Sequence, residues 1–288
     1  MNIAVNALLY SVGQDYRQTG ISRYIDRLLA NFGQLLDDDT CTAFVSAEAE
    51  PDWPGIAVQQ TSVPAGSPRQ RIQWEHVRLP GRLRAGGFDL FHGPVNIIPL
   101  QPVRIKKVVT IHDLAFLRFP DQVTRKRWAY LKALIAHAAY HADAILVPSQ
   151  ATARDVQELL KRPARQIHVT PLGVDTHFTP APVEQVASVR REYGVVKLYL
   201  LTVGTIDPRK NLARLISAFP HLHADIEHDL VLVGPQGWLT DEIESAIKSS
   251  GIENRIKRTG FVGDAGLVGL YSGADAVVVP AIYEGFGL

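Results

Sequence analysis

The sequence predicts an α/β protein of two tandem domains, each an open sheet of parallel strands with helices on both faces. Three observations lead there. The chain has 288 residues, and domains run to roughly 100–200 residues, so two is the natural number. Short apolar runs alternate with stretches of helical periodicity, which implies crossover helices and parallel strands. The alternation breaks once, at Pro171-Leu172-Gly173-Val174-Asp175 and Thr179-Pro180-Ala181-Pro182, where clustered proline and glycine mark a boundary. The expected domains are 1–178 and 179–288.

In the first half, Ile3–Leu9 reads as a buried strand, and Ile21–Leu36 as a helix with apolar residues at Ile21, Tyr24, Ile25, Leu28, Leu29 and Phe32. Phe88–Phe91 and the β-branched Lys107–Ile111 read as strands. Val123–His141 is a helix and Ala144–Val147 a strand. Pro148-Ser149 opens the helix Gln150–Leu160, and Ile167–Thr170 closes the half as a strand. In the second half the strands are Leu198–Val203, Leu230–Val233, Ile256–Thr259 and Ala276–Val279, the last expected to be buried. The helices are Leu212–Phe219, Asp241–Ser250 and Ala265–Tyr271. Open sheets of this kind bind ligands at the carboxyl ends of their strands, so two in tandem predict a cleft between them. The sequence stops at Leu288, just after a strand. About four strands make a thin sheet, so the second domain is expected to be truncated.

Composition excludes several classes. The net charge is +1, which gives no general affinity for nucleic acid. Apolar residues make up 46% and charged residues 20% of the chain, enough apolar side chain for two cores. Cys41 is the only cysteine, so no intrachain disulfide forms, which fits a reducing cytosol. The start MNIAVNALLY has no basic n-region, and no stretch approaches the ~18 apolar residues of a membrane span.

Four segments carry candidate chemistry at strand ends. In Val203-Gly204-Thr205-Ile206-Asp207-Pro208-Arg209-Lys210-Asn211, Arg209 and Lys210 fall where strand gives way to helix. Free backbone N–H groups there attract anions, and the two side chains add fixed positive charge for a diphosphate. A solvated basic loop is the plainer explanation of the pair alone. In Tyr283-Glu284-Gly285-Phe286-Gly287-Leu288 the glycines allow close backbone approach to a ligand, and Glu284 can accept sugar hydroxyls. An ordinary glycine turn with an exposed glutamate fits as well. His112 follows the strand ending at Ile111, and Asp113 could orient its imidazole or accept a bond. Gly20 sits at the start of the first helix, but Gly13 and Gly20 are too far apart for the G-x-G-x-x-G fingerprint of a dehydrogenase.

Read in order, TGISRY, QWEHVRLPGRL, FDLFHGP, VVTIHDLAF, VPSQATARDV, VTPLGVDTHFTP, VGTIDPRKN, GFV and PAIYEGFGL resemble the retaining glycosyltransferases of family 4. RKN and EGFGL are the most specific. WEHVRLP and FHGP look most like bacterial mannosyltransferases that build cell-surface polysaccharides. The resemblance implies the GT-B architecture, two facing Rossmann-like domains, with the first on the acceptor side and the second binding the nucleotide sugar. It implies that Arg209 and Lys210 hold the donor's pyrophosphate and that Glu284 holds donor-sugar hydroxyls. Backbone N–H groups of Phe286, Gly287 and Leu288, beside Gly285, would bind sugar or phosphate. Gly20 would let the first loop close on the phosphates, and Gly204 would lie in the donor loop. His112 would touch the donor sugar, and Phe261 and Val262 would flank the base. The donor is a substrate, GDP-mannose being favoured, and no cofactor or metal is expected. A glycan or lipid-linked compound would be the acceptor. The family's second downstream glutamate, which binds the ribose, is not in this sequence.

The implied chemistry is hexosyl transfer with retention. No pair of carboxylates for a glycosidase-like double displacement is evident in the sequence. Same-face attack, with the departing phosphate taking the acceptor's proton, needs no enzyme nucleophile. A nucleotide-sugar epimerase of the same fold is an alternative, as is a truncated remnant that binds donor without catalysis. Asp37-Asp38-Asp39 reads as an acidic turn, and His137 and His141 lack the glutamate of a zinc helix. His221, His223 and His228 read as solvated loop residues. Arg69, Arg71, Arg78, Arg82 and Arg84, with Ile72, Trp74, Val77 and Leu79 between them, and Arg125-Lys126-Arg127-Trp128 suit anionic lipid headgroups or a lipid-diphosphate acceptor. A solvated helix face explains them equally well. The expected location is the cytoplasm, with peripheral contact on the inner face of the cytoplasmic membrane.

Overall fold

A computed structural model describes residues 1–11, 20–222, 225–237 and 240–287. They form two compact units. One comprises Met1–Leu172 together with the segment from Gly285 onward, and the other is Gly173–Glu284. The first unit thus ends at Leu172, against an expected boundary at 178, and the segment after Glu284 groups with it.

The first unit runs β1 (Asn2–Asn6), α1 (Gly20–Phe32), β2 (Thr40–Val45), β3 (Ile56–Gln60), α2 (Pro68–Gln73), a π-helical turn at Trp74–Arg78, α3 (Leu79–Ala85), β4 (Leu90–Gly93), β5 (Lys106–Thr110), α4 (Ala115–Arg118), α5 (Arg125–His141), β6 (Ala144–Val147), α6 (Gln150–Leu160) and β7 (Ile167–Val169). The sheet order is β3-β2-β1-β4-β5-β6-β7, every pair parallel. The order reverses between β1 and β4, and at such a reversal the connections leave to opposite faces and open a crevice at the strands' carboxyl ends. One core holds Phe44, Trp74, Leu79, Leu83, Phe91 and Ile145, and another holds Ile3, Val5, Ile25, Leu29 and Trp53. α1 presents Ile25 and Leu29, one turn apart, to the second core. Thr124 caps α5 by accepting from Arg127 N, and Ser149 caps α6 by accepting from Thr152 N at 3.1 Å.

The second unit runs α7 (Val183–Glu192), β8 (Tyr199–Val203), α8 (Leu212–Ala218), β9 (Asp229–Val233), α9 (Asp241–Ser249), β10 (Ile256–Gly260), α10 (Asp264–Gly273) and β11 (Ala276–Val277). Its parallel sheet has the order β10-β9-β8-β11. Here too the order reverses beside the first strand, between β8 and β11. All five residues of β9 are buried. Ile216, Phe219, Leu230 and Leu232 pack in one core, and Tyr199, Leu201, Val231 and Leu270 in another.

Three expectations are corrected. The strand expected over Ala276–Val279 covers only Ala276–Val277 and is not buried, with Val277 46% and Val279 69% exposed. β11 is an edge strand paired with β8 alone, and an apolar run reads the same whether or not its faces are covered. The helix expected to reach Leu36 ends at Phe32 and tightens into a 3-10 turn at Gly33–Leu35, since glycine is a poor helix former. His228 is not a solvated loop residue. Its side chain is 19% exposed and its Nε2 lies 3.6 Å from Asp275 Oδ2. No helix among the described residues is long and apolar enough to cross a membrane.

Candidate active site

In the second unit, the reversal point gathers four of the expected residues. β8 ends at Val203, and Gly204 follows with φ +145°. The aliphatic stem of Lys210 lies directly over it, so a Cβ at Gly204 would stand 2.9 Å from Lys210 Cε. Pro208–Lys210 form a single 3-10 turn, and Asn211 takes a left-handed conformation before α8. The N–H groups expected to be free here are partly used. Lys210 N donates to Asp207 O at 3.2 Å and to Asp207 Oδ1 at 3.3 Å. Asp207 is fully buried. Burial pushes its pKa up, against the opposing pull of Arg209 and Lys210.

The loop after β11 brings the acidic partner. Glu284 pairs with Lys210 Nζ, and its Oε2 lies 3.6 Å from Arg209 Nη1. Two backbone links fix the approach. Asn211 Nδ2 donates to Pro280 O at 3.0 Å, and Ile282 N donates to Arg209 O at 3.0 Å. Two cations and a carboxylate thus converge at the carboxyl ends of β8 and β11. Such a group can hold a diphosphate with the cations and sugar hydroxyls with the glutamate.

The first unit has its own cluster at the strand ends. His112 Nε2 donates to Pro94 O at 2.8 Å, which leaves Nδ1 as the acceptor in a neutral ring. The Tyr24 ring meets the imidazole edge-on at 4.6 Å. Burial lowers the His112 pKa, with Pro94 O and Asp113 opposing. Pro94 O thus orients the ring, and Asp113 Oδ1 accepts from Ala115 N at 3.0 Å. Beneath it, His92 Nε2 and Tyr24 Oη both reach Thr110 Oγ1, at 2.9 and 3.1 Å. Gly285 packs on this cluster, since a Cβ there would stand 2.1 Å from His112 O.

The remaining expected residues are placed as follows. Gly20 is the exposed first residue of α1. Residues 12–19, which include the start of TGISRY, lie outside the described residues, as does Leu288. Val262 is buried in the core with Tyr199 and Leu270, so of the pair Phe261 and Val262 only half-buried Phe261 offers side-chain surface. Phe286 is 39% exposed, and Gly287 has φ +93°. Among the described residues, Asp175, His177 and Asp264 form the one group with metal-ligand spacing, and His177 and Asp264 already pair at 3.2 Å. The rings of His137 and His141 lie 4.5 Å apart, tilted by 45°, and His137 Nε2 reaches Pro99 O. In the basic-aromatic stretch, Trp74 and Leu79 turn into the core, while Arg78, Arg82 and Arg84 face outward. The sequence marks Ser149 only as the opener of a helix and gives no role to Asp207 or Thr152.

His92 sets a testable pH dependence. It is fully enclosed, and desolvation brings its pKa down to about 4 from an unfolded value of 6.5. The unfolded chain therefore binds the proton first, and stability falls as pH drops from 6.5 towards 4, by about 1.4 kcal/mol per pH unit. His92→Gln should flatten that acid limb in urea titrations at pH 7, 6 and 5. An unchanged slope would mean that other groups dominate.

The family model described as Glycosyltransferase Family 4 matches residues 19–178, and that described as Glycosyl transferases group 1 matches residues 190–288. The O-antigen chain mannosyltransferase B of Escherichia coli is 29% identical over 202 residues, 69% of this chain and 52% of its own length. The MMP alpha-(1->4)-mannosyltransferase of Mycolicibacterium hassiacum is 26% identical over 223 residues, 71% of this chain and 51% of its own. The chain thus spans about half the length of these curated relatives. Among solved structures, sucrose-phosphate synthase from Thermosynechococcus elongatus superposes with a TM-score of 0.72 at 18% identity, covering 100% of this chain and 77% of that one. That likeness establishes the α/β GT-B fold. With both family models matched in order along the chain, this protein belongs to glycosyltransferase family 4.

Proposed function

We propose that the protein transfers a hexose, mannose in the first instance, from a nucleotide-sugar donor to a glycan or lipid-linked acceptor with retention of configuration. The observation that carries this reading is the convergence of Arg209, Lys210 and Glu284 on the reversal point of the second sheet. As the bond from the anomeric carbon to the diphosphate breaks, negative charge grows on the leaving phosphate and positive charge on the sugar ring. Two fixed cations at the phosphate stabilise the first. Glu284 faces both cations, so the donor's phosphate would displace it from Lys210 and the carboxylate would turn to the sugar hydroxyls. The acceptor oxygen then attacks from the face the phosphate is leaving, and the departing phosphate oxygen takes its proton. Phe286 and Gly287 N–H, Gly20, Phe261 and neutral His112 would complete the donor's contacts. The exposed basic residues Arg125 and Lys126 would meet the anionic end of a lipid-linked acceptor, and mannose is preferred because the curated relatives carry that specificity in their names.

A thermal-shift titration against GDP-mannose, UDP-glucose, GDP and UDP tests the reading. A ligand at 100 times its dissociation constant stabilises by about 2.7 kcal/mol. A shift with the two guanosine compounds alone is the expected result. A shift with the uridine pair alone would replace mannose by another hexose, and no shift with any of the four would overturn the donor site.

A further inference from the structure

The start of α6 carries more hydrogen-bonding than a helix cap requires. Ser149 Oγ accepts from Thr152 N at 3.1 Å, which completes the cap. An N-cap needs only an acceptor, and aspartate or asparagine serves as well as serine. Here the Ser149 hydroxyl also donates, to Gly285 O at 2.5 Å, and Thr152 Oγ1 donates to the same oxygen at 3.1 Å. Both lone pairs of one carbonyl are therefore filled by hydroxyls 136 and 133 residues away in sequence. Thr152 is fully buried, and its other acceptor, His112 O, is more distant at 3.4 Å.

The peptide plane turns this into an effect on the loop. The carbonyl of Gly285 and the N–H of Phe286 belong to one planar trans unit and point in opposite directions. Fixing the oxygen on α6 therefore fixes the Phe286 N–H on the side away from α6. Gly285 is buried against His112 while Phe286 is 39% exposed, so the peptide is anchored at its carbonyl end and leads into an exposed residue. We propose that Ser149 and Thr152 are positioning residues for donor binding, which clamp the Gly285 carbonyl and so aim the Phe286 N–H at an oxygen of the donor's phosphate or sugar. The inference rests on the proposed function, which gives that N–H to the donor.

Thr152→Val keeps the shape and the backbone cap but removes one donor. Ser149→Asp keeps the cap acceptor and has no proton to give. Thr152→Ser and Ser149→Thr restore the hydroxyls. Two readouts separate the anchor from its purpose, namely amide hydrogen exchange over residues 285–287 and the KM for GDP-mannose against kcat. Thr152→Val and Ser149→Asp should speed exchange in that segment and raise the donor KM by about tenfold or more, with rescue by both conservative variants. Unchanged exchange would overturn the clamp whatever the activity. Faster exchange with wild-type KM and kcat would overturn its role in donor binding, and equal impairment in Thr152→Ser would reduce Thr152 to packing. Wild-type protein that neither turns over nor binds GDP-mannose would instead sink the function on which the second readout stands, and exchange would still judge the clamp.

Discussion

Lys210→Ala and Arg209→Ala are each expected to lower nucleotide-sugar turnover by about 100-fold or more, the usual loss when one preorganised charge stabiliser is removed. His137→Ala should stay within about twofold, the range of a surface change that leaves the site intact. The contrast follows from placement. Lys210 and Arg209 converge on Glu284 at the sheet's reversal point, whereas His137 sits on α5 with its ring against His141. The fold should survive both basic-residue changes. Glu284 is only partly buried and keeps the other cation when one is lost, whereas buried Asp207, whose Oδ2 lies 3.9 Å from Arg209 Nη2, loses that neighbour in Arg209→Ala, so that variant should show the larger drop in Tm of the two. Steady-state kinetics with GDP-mannose, alongside thermal unfolding, reads the result. Equal, mild losses in all three variants would remove the phosphate role of the pair.

Gly285→Ala should be as damaging through geometry alone. The added methyl would stand 2.1 Å from His112 O and 3.1 Å from Asp113 Cβ, well inside contact distance. The first obstacle is backbone and cannot swing aside, so Gly285 must move away from His112 and Asp113. That move breaks the bonds from Ser149 and Thr152 and displaces the Phe286 N–H. A displacement of about 1 Å at a reacting centre costs on the order of 100-fold in rate. Turnover should fall by about that factor, with only a small drop in Tm because a short segment is involved. Wild-type kinetics in Gly285→Ala would mean that this segment takes no part in the reaction.

What the sequence disclosed, and what it withheld, follows from burial. β6 and β9 are short apolar runs between clear punctuation, and the sequence places them to within about a residue or two at each end. β3, IAVQQ, has one buried residue and gives no run to detect. α7 is half exposed and follows a proline-rich stretch that reads as linker. β2 is well buried, but its threonines and cysteine blur the apolar pattern. The same holds for the site. Arg209, Lys210, Glu284 and His112 are legible because charged or titratable residues follow strand ends. Ser149 reads only as a helix opener and Thr152 as an ordinary helical residue, because their meaning lies in a carbonyl supplied by distant backbone. Asp207 is invisible for a related reason. Its work is to hold the turn beneath the two basic side chains, and no spacing rule announces a buried cap.

Glu284 reaches Lys210 from 74 residues away in sequence, in the loop after a strand that pairs with the sheet at only two positions, Ala276↔Leu200 and Val277↔Leu201. Strand residues rise about 3.3 Å each, so a slip of one residue would carry the carboxylate out of reach of Lys210 and present the opposite face of the strand. The bonds from Asn211 to Pro280 O and from Ile282 N to Arg209 O forbid that slip. Alignment of the charged cluster is thus guaranteed locally, by the basic turn gripping the acidic loop, and not by the sheet. The reach of the acidic loop is therefore set by two hydrogen bonds to the very turn that carries the cations, and a change at Asn211 should disturb the charged cluster more than a change in the exposed side chains of β11.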